Sequence, residues 1–362
     1  MNALDMKNLK LPVFLVLLLV ILFSCGIYRN RVDVNQGGAV LPEYQTTLPV
    51  EYLRNKMIVP VMIHGEQRRF IFDTGAITVI SKSLFEEMNY PELGSGFFYD
   101  IHRNMDTTRV VSVKSLGLGG VEFQNIPALV YDLERLPWLC FKVDGIIGSN
   151  MLRNSAIQVD LKDRVIKLSH TRKGLMGQGT DEKMRLNGQN APYIKMSFAG
   201  DKPRYYLFDS GSDGFINMNR EYFRELKERV FLRQQRQGHG SGVMGMIGTG
   251  KDQTVYRFTL DSVVFGGHSM SDPVIEVSST PSKVGSQLFH YGKVTMDYAG
   301  ETFHFEPYHD RLKYRPSEGP GFGFIPVVKE DTFRVGLVWE NSLVDSLGLK
   351  PGYRILRIND YD

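Results

Sequence analysis

Cysteine is nearly absent from this chain: 362 residues contain two, Cys25 and Cys140. That leaves no cysteine-based metal site, and the eight histidines show no ligand spacing such as His-Glu-x-x-His, so no metal and no cofactor are expected. There is no block of Lys and Arg, and the formal net charge is only +3, so nucleic acid is not an expected partner. A Gly-x-Ser-x-Gly elbow is missing, which leaves a serine hydrolase without support. "GMIGTGKD", Gly245 to Asp252, comes close to a phosphate-binding loop. It fails at Asp252, where a hydroxyl residue is needed, and no helix pattern follows. Alanine is scarce, while glycine (36 residues), β-branched and aromatic residues are plentiful, which predicts a β-rich chain with many turns.

The N-terminus carries Lys7 and Lys10 ahead of an apolar run, Leu11 to Phe23, too short to span a bilayer comfortably. It ends in "LFSC", which resembles the bacterial lipobox, in which the cysteine becomes the lipidated first residue of the mature chain. The resemblance implies a signal peptide over 1–25, lipidation of Cys25, a membrane partner through the lipid, and a place in the bacterial cell envelope facing the periplasm or exterior. Processing there would leave Cys140 alone and exclude an intrachain disulfide. Residues 26–47 lack apolar periodicity and are expected to form a tether.

"FIFDTGA" at Phe70 to Ala76 has a counterpart in "YLFDSGS" at Tyr206 to Ser212. "DGIIGSNML" and "SKVGSQLF" repeat a second block, and "VDLKDRVIKL" and "MDYAGETFHF" a third. Asp73 to Asp209 is a step of 136, and Gly148 to Gly285 and Asp160 to Asp297 are each a step of 137. A near-constant offset across three blocks means two copies of one supersecondary unit. Each copy reads as successive strands, with a short helix at Ser81 to Asn89 and at Asn219 to Phe231, both opened by a residue able to cap.

Paired Asp-Thr/Ser-Gly motifs, each with a later apolar-Gly element, resemble an aspartic peptidase, the first copy being closest to the retroviral type. The resemblance implies an all-β, two-lobed fold, with lobes over 48–172 and 185–307 joined by the polar stretch 170–189. It also implies an endopeptidase acting on a protein or peptide substrate, with Asp73 and Asp209 as the catalytic pair. Supporting residues would be Thr74 and Ser210, whose hydroxyls cross to the opposite lobe, and Gly75 and Gly211, which let the backbone turn tightly. Gly148 and Gly285 would lie beneath the active-site loops. The alternative is an inactive peptide-binding envelope protein of the same fold. Flaps are expected within 94–107 and 238–251, with Tyr99 a flap candidate. Ser212 can donate a hydrogen bond to its carboxylate and Ala76 cannot, so Asp209 is expected to be the ionised member and Asp73 the protonated one.

The third region departs from the repeat. Gly321-Phe322-Gly323-Phe324 resembles the carboxylate-binding loop of a PDZ domain, and "NSLVDSLGLKPGYRILRIND" resembles that domain's helix, turn and strand. The resemblance implies a partial PDZ module over 313–362, with a peptide C-terminus as its possible partner.

Overall fold

The computed structural model describes residues 32–175, 177, 180–242, 244–315, 322–327 and 332–357; Cys25, the rest of the targeting segment and Gly321 lie outside them. The described chain is all-β, with only short helices at the corners of its sheets.

The strand Glu66–Phe72 explains the apolar run that ends in an aspartate. It starts exposed and finishes with Phe70, Ile71 and Phe72 fully buried. Successive strand residues face opposite ways, so three buried in a row need cover on both faces. Phe70 and Phe72 enter the main core, while Ile71 joins a second cluster with Ile58, Val79, Leu129 and Ile146. The strand lies between Lys56–Ile63, antiparallel, and Gly145–Ile147, parallel. Val79–Ser81 closes the far side of Gly145–Ile147. Ser81 then caps the helix Lys82–Met88 by accepting the Leu84 N–H at 3.1 Å.

The second lobe repeats this plan. Arg204–Phe208 pairs in parallel with Lys283–Val284, and Ile216–Asn219 lies antiparallel on the other side of Lys283–Val284. Asn219 caps the helix Arg220–Leu226, accepting the Tyr222 N–H at 2.8 Å. This helix stops short of Phe231. Arg229 in the turn that follows is anchored to the Asp201 carboxylate through two guanidinium nitrogens, at 3.1 and 2.9 Å.

A six-stranded sheet joins the lobes, and the third repeated block forms its centre. Ala156–Asp160 pairs antiparallel with Gly292–Asp297, with Gln158 opposite Thr295 and bonded to its hydroxyl at 3.0 Å. The repeat step of 137 carries Gln158 onto Thr295, so the pseudo-twofold relating the lobes passes through this pair.

Three expected boundaries move. The segment expected as a tether is part of the fold from residue 32 on: Gly38–Ala39 pairs with Phe123 and Gln124, and Gln45–Pro49 joins the six-stranded sheet. Its backbone supplies edge hydrogen bonds, which apolar periodicity does not report. The stretch expected as an interlobe linker contributes Asp181–Lys183 to the same sheet. The second lobe extends past 307 to Tyr314, because Leu312–Lys313 pairs with Met270 and Ser271 and Tyr314 stacks on Phe215 at 4.8 Å.

The C-terminal residues form the hairpin Phe322–Val327 with Thr332–Trp339, the helix Leu343–Ser346 and the strand Arg354–Ile355. This unit adds to the second lobe edge to edge, with Leu337, Val338 and Trp339 opposite Gly240, His239 and Gly238. Phe322, Gly323 and Phe324, expected in a loop, are strand residues opposite Val338, Leu337 and Val335, with a bulge after Gly323. Pairing with Thr332–Trp339 gives their backbone groups ladder partners.

Candidate active site

The two repeated loops meet at the lobe interface through four hydrogen bonds. Ser210 Oγ accepts the Thr74 N–H at 2.9 Å and donates to the Phe72 carbonyl at 3.0 Å. Thr74 Oγ1 accepts the Ser210 N–H at 3.0 Å and donates to the Phe208 carbonyl at 2.6 Å. Each hydroxyl thus uses one donor and one acceptor across the interface, and both residues are wholly buried. Ser210→Ala would leave the Thr74 N–H and the Phe72 carbonyl buried without partners, each worth about 1–3 kcal/mol. The expected result is a loss of about 2–4 kcal/mol in urea unfolding; an unchanged midpoint would show that the crossing bonds do not hold the lobes together.

The grip places each carboxylate against the other loop. A Cβ added to Gly211 would come within 2.1 Å of Asp73 Oδ2, and one added to Gly75 within 2.8 Å of Asp209 Oδ1. These two glycines serve close approach. The Gly75 N–H also donates to Asp73 Oδ1 at 2.8 Å. Ile147 and Val284 each accept an N–H from the aspartate of their own lobe, Asp73 at 3.0 Å and Asp209 at 2.9 Å. Gly148 and Gly285 follow at once, both at φ −103°. That backbone suits any residue, so space is what selects glycine. A Cβ would lie 2.3 Å from the Ile77 and Thr78 backbone at Gly148, and 2.3 Å from the Gly214 carbonyl oxygen at Gly285.

The carboxylates open onto a cavity of about 540 Å³ between the lobes. Asp73 lines this space and is half-buried. Burial, and then the charge of Asp209, push it up to about 7, against the pull of the Gly75 N–H and of the Lys56 and Lys283 ammonium groups. The Ser212 hydroxyl is not the group on the Asp209 carboxylate. Ser212 donates its N–H to the Asp209 carbonyl at 3.0 Å, and the carboxylate instead receives Lys283, with Nζ 3.3 Å from Oδ2. The cause expected for the asymmetry between the aspartates is therefore corrected: the side chain that donates to the Asp209 carboxylate is Lys283, from the apolar-Gly element, and not Ser212. Lys56, from the first lobe, donates to the Gly211 carbonyl.

Hairpin Glu92–Tyr99 with Met105–Leu118 overhangs the cavity, and Phe97, Phe98 and Tyr99 line it. From the second lobe, Met244, Gly245 and Met246 reach in above the dyad. The two overhangs meet at the Asp100 carboxylate. Its Oδ1 accepts the N–H groups of His102 and Asn104 at 2.9 Å each, and its Oδ2 accepts those of Ile247 and Gly248 at 3.3 Å each. The glycine-rich run that nearly matches a phosphate loop thus does hold an anion, the side chain of Asp100. Tyr131 Oη also donates to the Met246 carbonyl at 2.9 Å. Lys56, Asp100 and Lys283 were not singled out from the sequence as site residues. For Lys283 a signal existed, since it stands where the first lobe has the buried Ile146. Phe322, Gly323 and Phe324 belong to the C-terminal hairpin and do not line this cavity. Among the described residues no group of His, Cys, Asp and Glu is placed to hold a metal.

Residues 59–151 match the family model of aspartyl proteases. The match spans Asp73, Gly148 and the strands between them, and ends before the second copy. No curated protein matches the chain.

Proposed function

We propose that the chain is an aspartic endopeptidase in which Asp73 and Asp209 activate one water between them. The observation that carries this is the reciprocal link of the two Asp-Thr/Ser-Gly loops, with each carboxylate against the other loop's glycine. The lysine beside Asp209 and the burial of Asp73 support opposite protonation states for the pair. Asp209, as carboxylate, takes a proton from the water as its oxygen adds to the scissile carbonyl carbon. Asp73, as acid, gives its proton to the carbonyl oxygen. Collapse of the resulting diol breaks the C–N bond. The leaving nitrogen receives the proton held by Asp209, and one diol hydroxyl returns a proton to Asp73. The substrate is an extended peptide lying beneath Phe97 and Tyr99, and the step calls for no metal.

The test is incubation with a mixed peptide library between pH 4 and 8, reading products by mass spectrometry, with Asp73→Asn as control. Cleavage by the control at the wild-type rate, or none by the wild type at any pH, rejects the proposal.

Two further parts of the reading rest on sequence resemblance. Cys25 is proposed as the lipidated residue of an envelope protein. Cys25→Ser should abolish labelling by a fatty-acid probe and release the protein from the membrane fraction; persistent labelling would refute it. One acyl chain holds a protein weakly and several hold it firmly. The C-terminal unit is proposed to take a peptide C-terminus along Phe322–Val327, which ends its sheet among the described residues.

A further inference from the structure

We propose that Lys283 is a third member of the catalytic centre, a positioning charge whose ion pair with the Asp209 carboxylate fixes which aspartate is base and which is acid. The inference rests on the peptidase reading above and assigns a residue that the paired motifs do not contain.

Pseudo-symmetry makes the case. The two lobes present the same backbone to their aspartates, to the level of matching Asp N–H bonds and matching glycine torsions. Within that frame one position differs in charge: Ile146 in the first lobe, Lys283 in the second. Ile146 is buried among Ile71, Val79 and Leu129. Lys283 is about as hidden, its side chain 9% exposed, yet it carries an ammonium that donates to Asp209 Oδ2. A lysine buried there without an opposing carboxylate would tend to lose its proton. It lies in the two-residue strand paired with Leu207 and Phe208, which fixes it one step from the Val284 carbonyl that receives the Asp209 N–H. Backbone and side chain of one dipeptide therefore hold both ends of Asp209.

The other charged or titratable groups facing the pair do not substitute for it. Lys56 is engaged with the Gly211 carbonyl on the far side. Asp213 lines the cavity with the sign of the dyad itself, and Asp100 is tied to four backbone N–H groups in the overhang. The Tyr298 phenol, near enough to feel the charge of Asp73, is pushed far above its ordinary range by burial and stays neutral.

The consequence is a working window with separate edges. An ammonium within salt-bridge distance of a carboxyl favours its charged form, which assigns the acid edge to the Asp209–Lys283 pair. The alkaline edge is the loss of the proton on Asp73. Without Lys283 both edges should rise, the acid edge more, since Lys283 acts on Asp73 more weakly than Lys56 does. The two apparent constants belong to the coupled pair.

The test has two readouts. In the pH–rate profile of kcat/KM, Lys283→Met should move the acid limb up by at least about one unit, while the charge-keeping Lys283→Arg leaves it near the wild-type position. Independently of turnover, the ¹³C carboxyl resonance of Asp209 is titrated in an Asp73→Asn background, with and without Lys283→Met; the same rise is expected. If Lys283→Met does not fold, Lys283→Gln keeps the length without the charge and takes its place. An Asp209 titration unmoved by removing the charge overturns the proposal. A clear NMR shift in a protein that cleaves no peptide supports the ion pair and overturns the peptidase reading instead.

Discussion

Asp73→Asn and Asp209→Asn should each lower peptide cleavage by about a thousandfold or more while leaving the lobes folded. A positioned acid or base contributes about 10²–10⁴ in rate, and neither amide can perform the proton transfer of the carboxyl it replaces. The Asp73 variant carries a second, thermodynamic signature. Folding raises this carboxyl from 3.8 to about 7, so the folded chain holds its proton more tightly than the unfolded chain does. The stability this contributes is fully present below about pH 4 and is lost as pH rises through about 7. Asn stays neutral throughout. Asp73→Asn should therefore match the wild type in denaturant unfolding near pH 4 and exceed it by something on the order of 3 kcal/mol at pH 8, the figure being reduced for water entering from the cavity. A variant equally stable at both pH values would mean that Asp73 titrates as an ordinary carboxyl, and cleavage retained within tenfold would remove it from the chemistry.

Gly148→Ala and Gly285→Ala should each cost at least about 3 kcal/mol, at the upper end of what overpacking produces. The obstructing atoms are backbone: Ile77 and Thr78 in one lobe, Gly214 and Ser212 in the other. They cannot rotate away as a side chain would. They also belong to the segments that lead out of the two aspartate loops, so any relief would displace Asp73 or Asp209. Activity should fall with stability. Gly188→Ala is the control, since an added Cβ there meets nothing within 4 Å, and it should stay within about 0.5 kcal/mol of the wild type. If the Gly148 variant unfolds at the same urea concentration as this control, the close packing beneath the loops is not what selects glycine.

Much of this architecture is legible in the chain because it is local and repeated. A strand buried on both faces must be apolar at every position, which is why Phe70, Ile71 and Phe72 stand out before Asp73; before Asp209, Tyr206 and Phe208 are buried and Leu207 half-buried, and the same apolar run shows. The hydroxyl after each aspartate and the later apolar-Gly element recur at one step, so both halves of the site and the all-β class can be found without coordinates. Helix starts are readable for a related reason: Ser81 and Asn219 cap through contacts three residues away.

What tertiary structure alone decided is where chain segments distant in sequence supply charge or edge hydrogen bonds. Whether residues 32–47 trail free or join two sheets depends on partners more than 80 residues away, such as Phe123 and Lys167. The docking of the C-terminal hairpin on the Gly238–Gly240 strand is a backbone match between segments about 100 residues apart, and backbone groups are the same in every sequence. Lys283 is the sharpest instance. In the chain it is one charged residue in an apolar element, which reads as a flaw in the second copy of the repeat. In the fold it lies 74 positions from Asp209 in sequence and 3.3 Å from its carboxylate. The repeat determined that two aspartates face each other; the fold decided that an ammonium which departs from the repeat sits within salt-bridge distance of Asp209.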